Sequence, residues 1–280
     1  LSHNPKYALA TKADGTWSGV VSCHEDVLDQ PLRWKKPRTI FVCSMSDLFH
    51  SQVPWDFIVK VFDVMAATSW HTYQLLTKRP GRMAYFAEHI WTRHLGTCKG
   101  WSPEAAWPPN VWAGTSVESQ KYAPRLDCLL RVPAKVRFVS AEPLLGPLDL
   151  KPYFFKCSGC VPTPEDPRCA CKGLAIHQII VGGESGPGAR PMHPDWARGL
   201  RDQCQAAGVP FFYKQHGNWV PLDVYNPAAS PHDVSVVFPP SKVLRFSDGQ
   251  VMVRLGSKSA AGALLDGREW REMPEAAGGS

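Results

Sequence analysis

Six short apolar runs in this 280-residue chain end in polar clusters that carry one or two ionisable side chains. The clearest run, 179–181, stops at Gly182 and Gly183 and is followed directly by Glu184. Runs of β-branched residues are typical of buried strands, and glycines after such a strand let the backbone turn tightly or approach a ligand. The other runs, with their polar ends, are 40–47, 73–79, 111–118, 136–142 and 211–217. Together they predict one polar site at the ends of strands.

The polar ends supply acids, bases and hydroxyl groups, which are the side chains that bind and activate charged substrates. In parallel βα units the carboxyl ends of the strands lie on one face, where barrel enzymes hold their catalytic groups. The candidate catalytic residues are Asp47, Lys78, Arg79, Glu118, Glu142, Glu184 and Lys214. The candidate cofactor-binding residues are Ser140, Glu142, Gly182, Gly183 and Glu184. Because buried charges must be paired, a network of structural ion pairs is the alternative interpretation.

Helical patterns lie between the apolar runs and predict the elements that position this site. Residues 54–69 begin with Pro54 and repeat apolar side chains at helical spacing, among them Ile58, Phe62 and Met65. Such a stripe is typical of a helix that packs on a core. Strands alternating with helices predict parallel βα units, and therefore an α/β fold with a TIM-like or partial (β/α) barrel.

The same pattern predicts how the chain is divided. We expect a barrel-like domain at 1–218 and a C-terminal extension at 219–280 that packs on it. A hairpin is expected at 243–253, around an Asp-Gly turn, and a short strand at 19–22. The segment 153–175 interrupts the strand-helix rhythm and is interpreted as an insertion.

Four cysteines in that insertion have the spacing of a metal site. Cys157 and Cys160 form a C-x2-C pair, and Cys169 and Cys171 form a C-x-C pair. Four thiolates in a short segment that turns back on itself can bind a tetrahedral zinc ion, and an iron–sulfur cluster needs the same four ligands. The spacing favours a structural zinc site in a stapled loop over a reaction centre.

Composition limits the classes of partner and compartment. The net charge of +6 and a pI near 8.8 are compatible with an anionic partner such as a nucleotide or nucleic acid. No apolar stretch is long enough for a membrane span and no signal-peptide pattern opens the chain, so we expect a soluble cytoplasmic protein without a membrane partner. The nine cysteines fit a reducing compartment better than a disulfide framework.

Longer motifs around the same polar ends resemble a known family. The motifs are SMSDLFH at 44–50, LLTKRP at 75–80, GTSVES at 114–119, SAEPLLGP at 140–147, VGGESGPGARPM at 181–192, FYKQHGNW at 212–219 and AAGALLDGREW at 260–270. They resemble the phage and prophage proteins of the gene product thirty-seven/sixty-eight family. The resemblance therefore covers nearly the whole chain.

The resemblance implies radical S-adenosylmethionine chemistry, because members of that family carry an N-terminal cysteine triplet that can hold a [4Fe–4S] cluster. This chain departs from the pattern, since only Cys23 and Cys43 precede residue 98 and neither is part of a C-x2-C pair. The chain opens on Leu1, so we expect a truncated copy that begins after the cluster loop. The resemblance implies no particular reaction or substrate.

Two hypotheses of function follow. The first is a radical S-adenosylmethionine-type enzyme, active if the cysteine triplet exists upstream, with Ser140, Glu142 and Glu184 in the cofactor cleft. Its anionic substrate would be held by the bases Lys78, Arg79 and Lys214. The second is a noncatalytic phage-encoded binding protein that uses the same basic barrel mouth.

Overall fold

The computed structural model describes residues 9–10, 12–13, 18–96, 107–157, 172–225 and 238–274. The chain forms two compact units. The first unit comprises Leu1–Trp112 and Arg131–Lys135, and the second comprises Ala113–Leu130 and Val136–Ser280. In the described part of the chain, no helix is both long and apolar enough to span a membrane.

The first unit contains a parallel pair of strands joined through a helix. Strand β1 is Thr39–Val42, helix α1 is Trp55–Ala67 and strand β2 is Thr72–Thr77. The strands pair in parallel, with Thr39 opposite Thr72. Pro54 precedes α1, as expected for a residue that fits the start of a helix but not its interior.

Local signals explain most of this unit, with one exception. Ile58, Phe62 and Met65 are buried, so the predicted helical stripe does face the core. The predicted strand at 19–22 is wrong, because Gly19 lies in a bend with φ of 85° and the segment pairs with no described strand. Two 3-10 turns follow it, Glu25–Val27 and Gln30–Arg33.

Aromatic packing fixes the helical layer of the first unit. Helix α2, Pro80–Tyr85, continues through a π-helical segment, Phe86–Trp91, into α3, Thr92–Gly96. The ring of Phe62 lies 4.7 Å from that of Phe86, 5.3 Å from Trp91 and 4.8 Å from Trp107 between centroids. Aromatic rings at these separations pack edge to face or tilted, which adds to the free energy gained by burying them.

The second unit contains four parallel strands. Its elements in chain order are β3 (Val111–Ser116, within this unit from residue 113), α4 (Arg125–Leu129), β4 (Arg137–Ala141), β5 (Phe155–Cys157), β6 (Lys172–Leu174), β7 (Gln178–Gly182), α5 (Pro194–Ala207) and β8 (Phe211–Gln215). The parallel order is β3-β4-β7-β8, and the register shifts at the end of β7. Parallel strands alternating with helices confirm the α/β class and agree with a partial barrel, while closure into a TIM barrel stays a prediction.

A smaller antiparallel sheet follows in the same unit. Its elements are β9 (Trp219–Pro221), α6 (Leu222–Tyr225), β10 (Val243–Arg245), β11 (Val251–Arg254) and α7 (Lys258–Ala261), with strand order β10-β11-β9. The predicted hairpin at 243–253 is confirmed by the pairing of β10 with β11. The C-terminal segment returns to β8, where the backbone N–H of Tyr213 donates to the carbonyl of Trp270 at 2.9 Å.

The two ends of the cysteine insertion pair with each other as antiparallel strands. Strands β5 and β6 pair so that Cys157 is opposite Lys172. The predicted zinc ligands Cys160, Cys169 and Cys171 lie outside the described residues, as does the side chain of Cys157. The zinc site therefore stays a prediction.

Candidate functional site

Asp47 is the centre of the polar group at the strand ends of the first unit. Thr77 Oγ1 donates to its carboxylate at 2.7 Å and Arg79 Nη1 donates at 2.8 Å. The backbone N–H groups of Phe49 and Lys78 also donate to it, at 2.9 and 3.2 Å. Since four donors converge on one carboxylate, Asp47 ties the loop after β1 to the loop after β2.

Arg82 supports the same loops and was missed in the sequence. Its guanidinium donates to the carbonyls of His50 and Val53 and lies 4.0 Å above the ring of Trp55. Desolvation, followed by the nearby Arg79 guanidinium, lowers the pKa of Arg82. A basic residue directly after the Pro80-Gly81 start of a helix was the only signal for it.

Glu142, Gly182 and Lys214 form the clearest constellation of the second unit. Glu142 follows β4, and its carboxylate accepts from Lys214 Nζ at 2.8 Å and from Gln215 Nε2 at 3.1 Å, both in β8. Strand β7 lies between β4 and β8, so the Glu142 side chain reaches across the end of β7. A Cβ at Gly182 would lie 3.0 Å from Glu142 Oε1. Gly182 therefore provides the room for this ion pair.

Glu184 is held by a residue of its own loop. Arg190 donates to the two carboxylate oxygens from Nε and Nη2, each at 2.8 Å, and its backbone N–H donates at 2.8 Å. The hydrogen bond from the Arg190 side chain lowers the pKa of Glu184 against the opposing effect of burial. Glu184 is consequently a carboxylate at neutral pH, in a bidentate pair whose Arg190 side chain is 59% exposed.

Glu118 is the most deeply buried of the candidate acids, with 7% of its side chain exposed. Arg125 Nη1 donates to it at 2.9 Å and to the carbonyl of Ser116 at 2.8 Å. The Arg125 guanidinium also lies 4.2 Å above the ring of Tyr122. These contacts favour a structural role for the pair, because a buried charge needs a nearby partner to be tolerated.

The backbone after β7 packs directly on the backbone after β8. Gly183 N–H donates to the carbonyl of Gln215 at 2.9 Å, and Asn218 N–H donates to the carbonyl of Glu184 at 2.9 Å. A Cβ at Gly183 would lie 1.8 Å from the carbonyl oxygen of His216. This contact explains the glycine without a ligand, so cofactor binding by Gly182 and Gly183 stays a prediction.

His216 is a buried residue of this region that the sequence analysis did not select. Its Nε2 donates to the carbonyl of Leu264 at 2.7 Å, so in the neutral ring Nδ1 accepts from the hydroxyl of Tyr213 at 2.8 Å. Burial lowers the pKa of His216 and raises the pKa of Tyr213. Both side chains are therefore neutral at physiological pH, and they fasten the C-terminal segment to β8.

The structure brings some predicted site residues together and leaves the common site untested. Asp47 contacts Arg79 in the first unit, and Glu142 contacts Lys214 in the second. Ser140 is buried at the end of β4, where its carbonyl accepts from the N–H of Val117. Lys78 is exposed. Convergence of all the candidate residues in one cavity stays a prediction, because they belong to different units.

The described cysteines do not fit a three-thiolate iron–sulfur cluster. Burial raises the pKa of Cys43 against the hydrogen bond from Ser46, and the charges of Asp47 and Cys23 add smaller effects in the same direction as burial. Cys128 lies in α4 and Cys204 is buried in α5. The described thiols thus lie in separate segments of the chain, whereas an open iron position requires three on one loop.

His193, Asp195 and Asp248 are close enough together to be considered as metal ligands. His193 Nδ1 accepts the helix-capping hydrogen bond from the N–H of Asp195 at 3.1 Å. The proton of the neutral ring is then on Nε2, which lies 2.8 Å from a carboxylate oxygen of Asp248. Since Nδ1 already accepts from the backbone and Nε2 lies against the carboxylate of Asp248, we interpret the group as a helix cap beside an acidic side chain.

Parallel strands whose carboxyl ends carry paired acids and bases define an α/β protein with a polar strand-end site. The chain belongs to the family described as "Protein of unknown function (DUF5131)", whose model matches residues 2–274. No curated protein and no solved structure matches the chain.

Proposed function

We propose that this chain is a radical S-adenosylmethionine-like protein that binds S-adenosylmethionine at the strand ends of its second unit. Its substrate is anionic and related to nucleotides or nucleic acids. The observation that carries the proposal is the Glu142–Lys214 pair at the ends of β4 and β8, beside the Glu184–Arg190 pair after β7. Ligands of α/β proteins bind outside the carboxyl ends of parallel strands.

The charges of these two pairs complement the ligand. S-adenosylmethionine has an ammonium group and a ribose diol, for which Glu142 and Glu184 are suitable partners, and a carboxylate, which suits Lys214 and Arg190. The ligand supplies an activated carbon on its sulfonium when it is bound. This chain's residues orient the amino acid and ribose ends around it.

Partial exposure makes the pairs available to a ligand. The side chain of Lys214 is 51% exposed and that of Glu142 is 21% exposed. An ion pair at the surface contributes only about 0–1 kcal/mol, so a ligand that replaces one contact with its own charged group loses little. Glu118 is buried, so breaking its pair with Arg125 would cost more, and this pair is a poorer candidate for contact with the ligand.

The iron–sulfur cluster is not part of the proposal for the described residues, because they do not supply three suitable thiolates. A structural zinc ion at Cys157, Cys160, Cys169 and Cys171 is a separate proposal. It is supported by the spacing and by the β5–β6 pairing, which joins the two ends of the insertion.

A noncatalytic binding protein is the second candidate function. The observation that favours it is that Asp47, Glu118, Glu142 and Glu184 each have a cationic partner within their own unit. Buried structural ion pairs also require that each acid has a cationic partner, so this pairing needs no catalytic role for the acids. Lys78 and Arg79 in the first unit, or Lys214 in the second, would then bind an anionic partner without a reaction.

Equilibrium dialysis with S-adenosylmethionine separates the two candidates. We expect the chain to bind the ligand and Glu142→Gln or Lys214→Met to weaken binding about tenfold or more, since each removes a hydrogen bond with a charged group. Glu25→Gln is the matched control, because it breaks the exposed Lys60–Glu25 pair of the first unit. Absence of binding, or equal loss in the control, contradicts the proposal.

A further inference from the structure

A second polar site lies beside the antiparallel sheet of the second unit. An open cleft of about 520 Å³ is bounded by the loop 185–187, the segment 254–258 and Lys242. None of the predicted catalytic or cofactor-binding residues lines it. We propose that this cleft binds the phosphate group of a nucleotide-sized ligand, an activity that goes beyond S-adenosylmethionine binding and can stand or fall without it.

Charge is the first argument for an anion. Lys242, Arg254 and Lys258 line the cleft, and none of its lining residues in the described ranges is acidic. Lys242 and Lys258 are exposed and form no ion pair with any residue in the described ranges. At the strand ends, by contrast, Lys214 and Arg190 are each paired with a glutamate. Three cations around this cleft, with no acid among its described lining residues, produce a positive potential that attracts phosphate.

Arg254 is held in place with donors to spare. Its Nη2 donates to the carbonyl of Gly186 at 3.0 Å and to the carbonyl of Pro187. Its Nε and Nη1 form no hydrogen bond with the described residues, so these N–H groups are available to a ligand. A guanidinium fixed by two backbone carbonyls loses little side-chain freedom when it binds an anion.

Asn218 fixes the two walls relative to each other. Its Oδ1 accepts from the N–H of Gly186 at 2.7 Å, and its Nδ2 donates to the carbonyl of Leu255 at 3.0 Å. The N–H of Leu255 donates in return to the carbonyl of Asn218 at 2.8 Å. Asn218 is buried, so these hydrogen bonds are shielded from water. The cleft is therefore formed before a ligand arrives.

The lining indicates which part of the ligand is recognised. The volume is within the range of roughly 300–1,000 Å³ that is usual for small-ligand sites. Among the described lining residues, Leu255 is the only large apolar side chain, and none offers an aromatic ring on which a base could stack. Ser257 Oγ accepts from the N–H of Ala260, which leaves its O–H free to donate. Cations and hydroxyl donors without a stacking surface fit phosphate oxygens better than a base.

The test measures binding of inorganic pyrophosphate, a nucleoside monophosphate and a 5′-phosphorylated single-stranded hexanucleotide to the full chain by calorimetry. We expect Lys242→Gln with Lys258→Gln to weaken pyrophosphate binding about tenfold or more, because two charged donors are removed. Lys35→Gln with Lys36→Gln makes the same change of charge at exposed lysines of the first unit and is expected to change affinity less than about twofold. Tight binding of the monophosphate identifies a free nucleotide as the source, and preference for the hexanucleotide identifies a nucleic-acid strand.

The proposal is overturned if the two double variants weaken binding equally, or if an acidic hexapeptide binds as tightly as pyrophosphate. Two further readouts do not depend on the variants folding. Affinity of the unaltered chain for pyrophosphate should fall as salt is raised, and the corresponding nucleoside without phosphate should not bind. Binding of S-adenosylmethionine by the Lys242 and Lys258 double variant should be unchanged, so failure of one proposal can be told from failure of the other.

Discussion

Gly182 leaves the space in which the carboxylate of Glu142 passes over the end of β7 to reach Lys214. A Cβ at Gly182 would lie 3.0 Å from Glu142 Oε1, which is the mobile end of a side chain. At Gly183 the obstacle is instead the carbonyl oxygen of His216, only 1.8 Å from a Cβ. Neighbouring glycines thus meet different constraints, one from a side chain and one from the backbone.

These constraints predict different costs of substitution. Gly183→Ala should lower the free energy of unfolding by about 3 kcal/mol, because two backbone segments must separate. Gly182→Ala should cost less than about 1 kcal/mol, since Glu142 can shift by a few tenths of an ångström. Gly199→Ala in α5, where a Cβ meets nothing within 4 Å, should stabilise by about 0.5–1 kcal/mol. Urea unfolding of the three variants measures the order of these changes in unfolding free energy. Similar costs at 182 and 183 would contradict the different contacts described for the two glycines.

His216 predicts a dependence of stability on pH. Its pKa is lowered in the folded chain by burial, whereas in the unfolded chain it is about 6.5. Below that pH the unfolded state binds the proton more readily, so the contribution of neutral His216 is complete above about pH 6.5 and is lost as the pH falls. His216→Gln retains a donor and an acceptor but cannot titrate.

The difference in unfolding free energy between the unaltered chain and His216→Gln, measured from pH 8 to pH 5, should therefore shrink as the pH falls. His177, whose pKa is also lowered chiefly by burial, is present in both proteins and cancels in the difference. A difference that is constant over this range would mean that His216 is accessible to protons in the folded state.

The cysteine insertion predicts one zinc ion per chain. Elemental analysis of protein purified without added metal should find zinc near one equivalent, and Cys157→Ser should lower it and destabilise the insertion, because metal binding and folding of such loops are coupled. Cys128→Ser, in α4, is the matched control and should keep the metal. Detection of iron with a visible charge-transfer band would instead indicate an iron–sulfur cluster. Protein free of metal would contradict the proposed metal site.

Elements with strong local signals could be predicted from the sequence. Pro54 and Gly208 mark the start of α1 and the end of α5, since proline suits a first turn and Gly208 adopts the left-handed conformation that stops a helix. The strand predicted at 19–22 had only a short apolar pair to support it. That backbone instead bends at Gly19, whose φ is 85°, and joins no strand of the described residues.

The partners in the site could not be predicted in the same way. Glu142 was selected because it follows an apolar run, but its contact with Lys214 depends on β7 lying between β4 and β8. Arg125 and Arg190 were missed because each lies in a loop or helix after the strand end, and only the folded chain brings them to Glu118 and Glu184. Strand ends therefore indicate which acids matter, while tertiary structure determines their charge partners.

A crystal structure of the chain with S-adenosylmethionine tests the central claim most directly. The account predicts that the ammonium or ribose hydroxyls of the ligand lie within hydrogen-bond distance of Glu142 or Glu184, and that its carboxylate contacts Lys214 or Arg190. Those contacts should replace at least one of the present ion pairs, which measure 2.8 Å between Lys214 and Glu142 and between Arg190 and Glu184. A ligand bound elsewhere, or no bound ligand at saturating concentration with both pairs intact, would contradict the account.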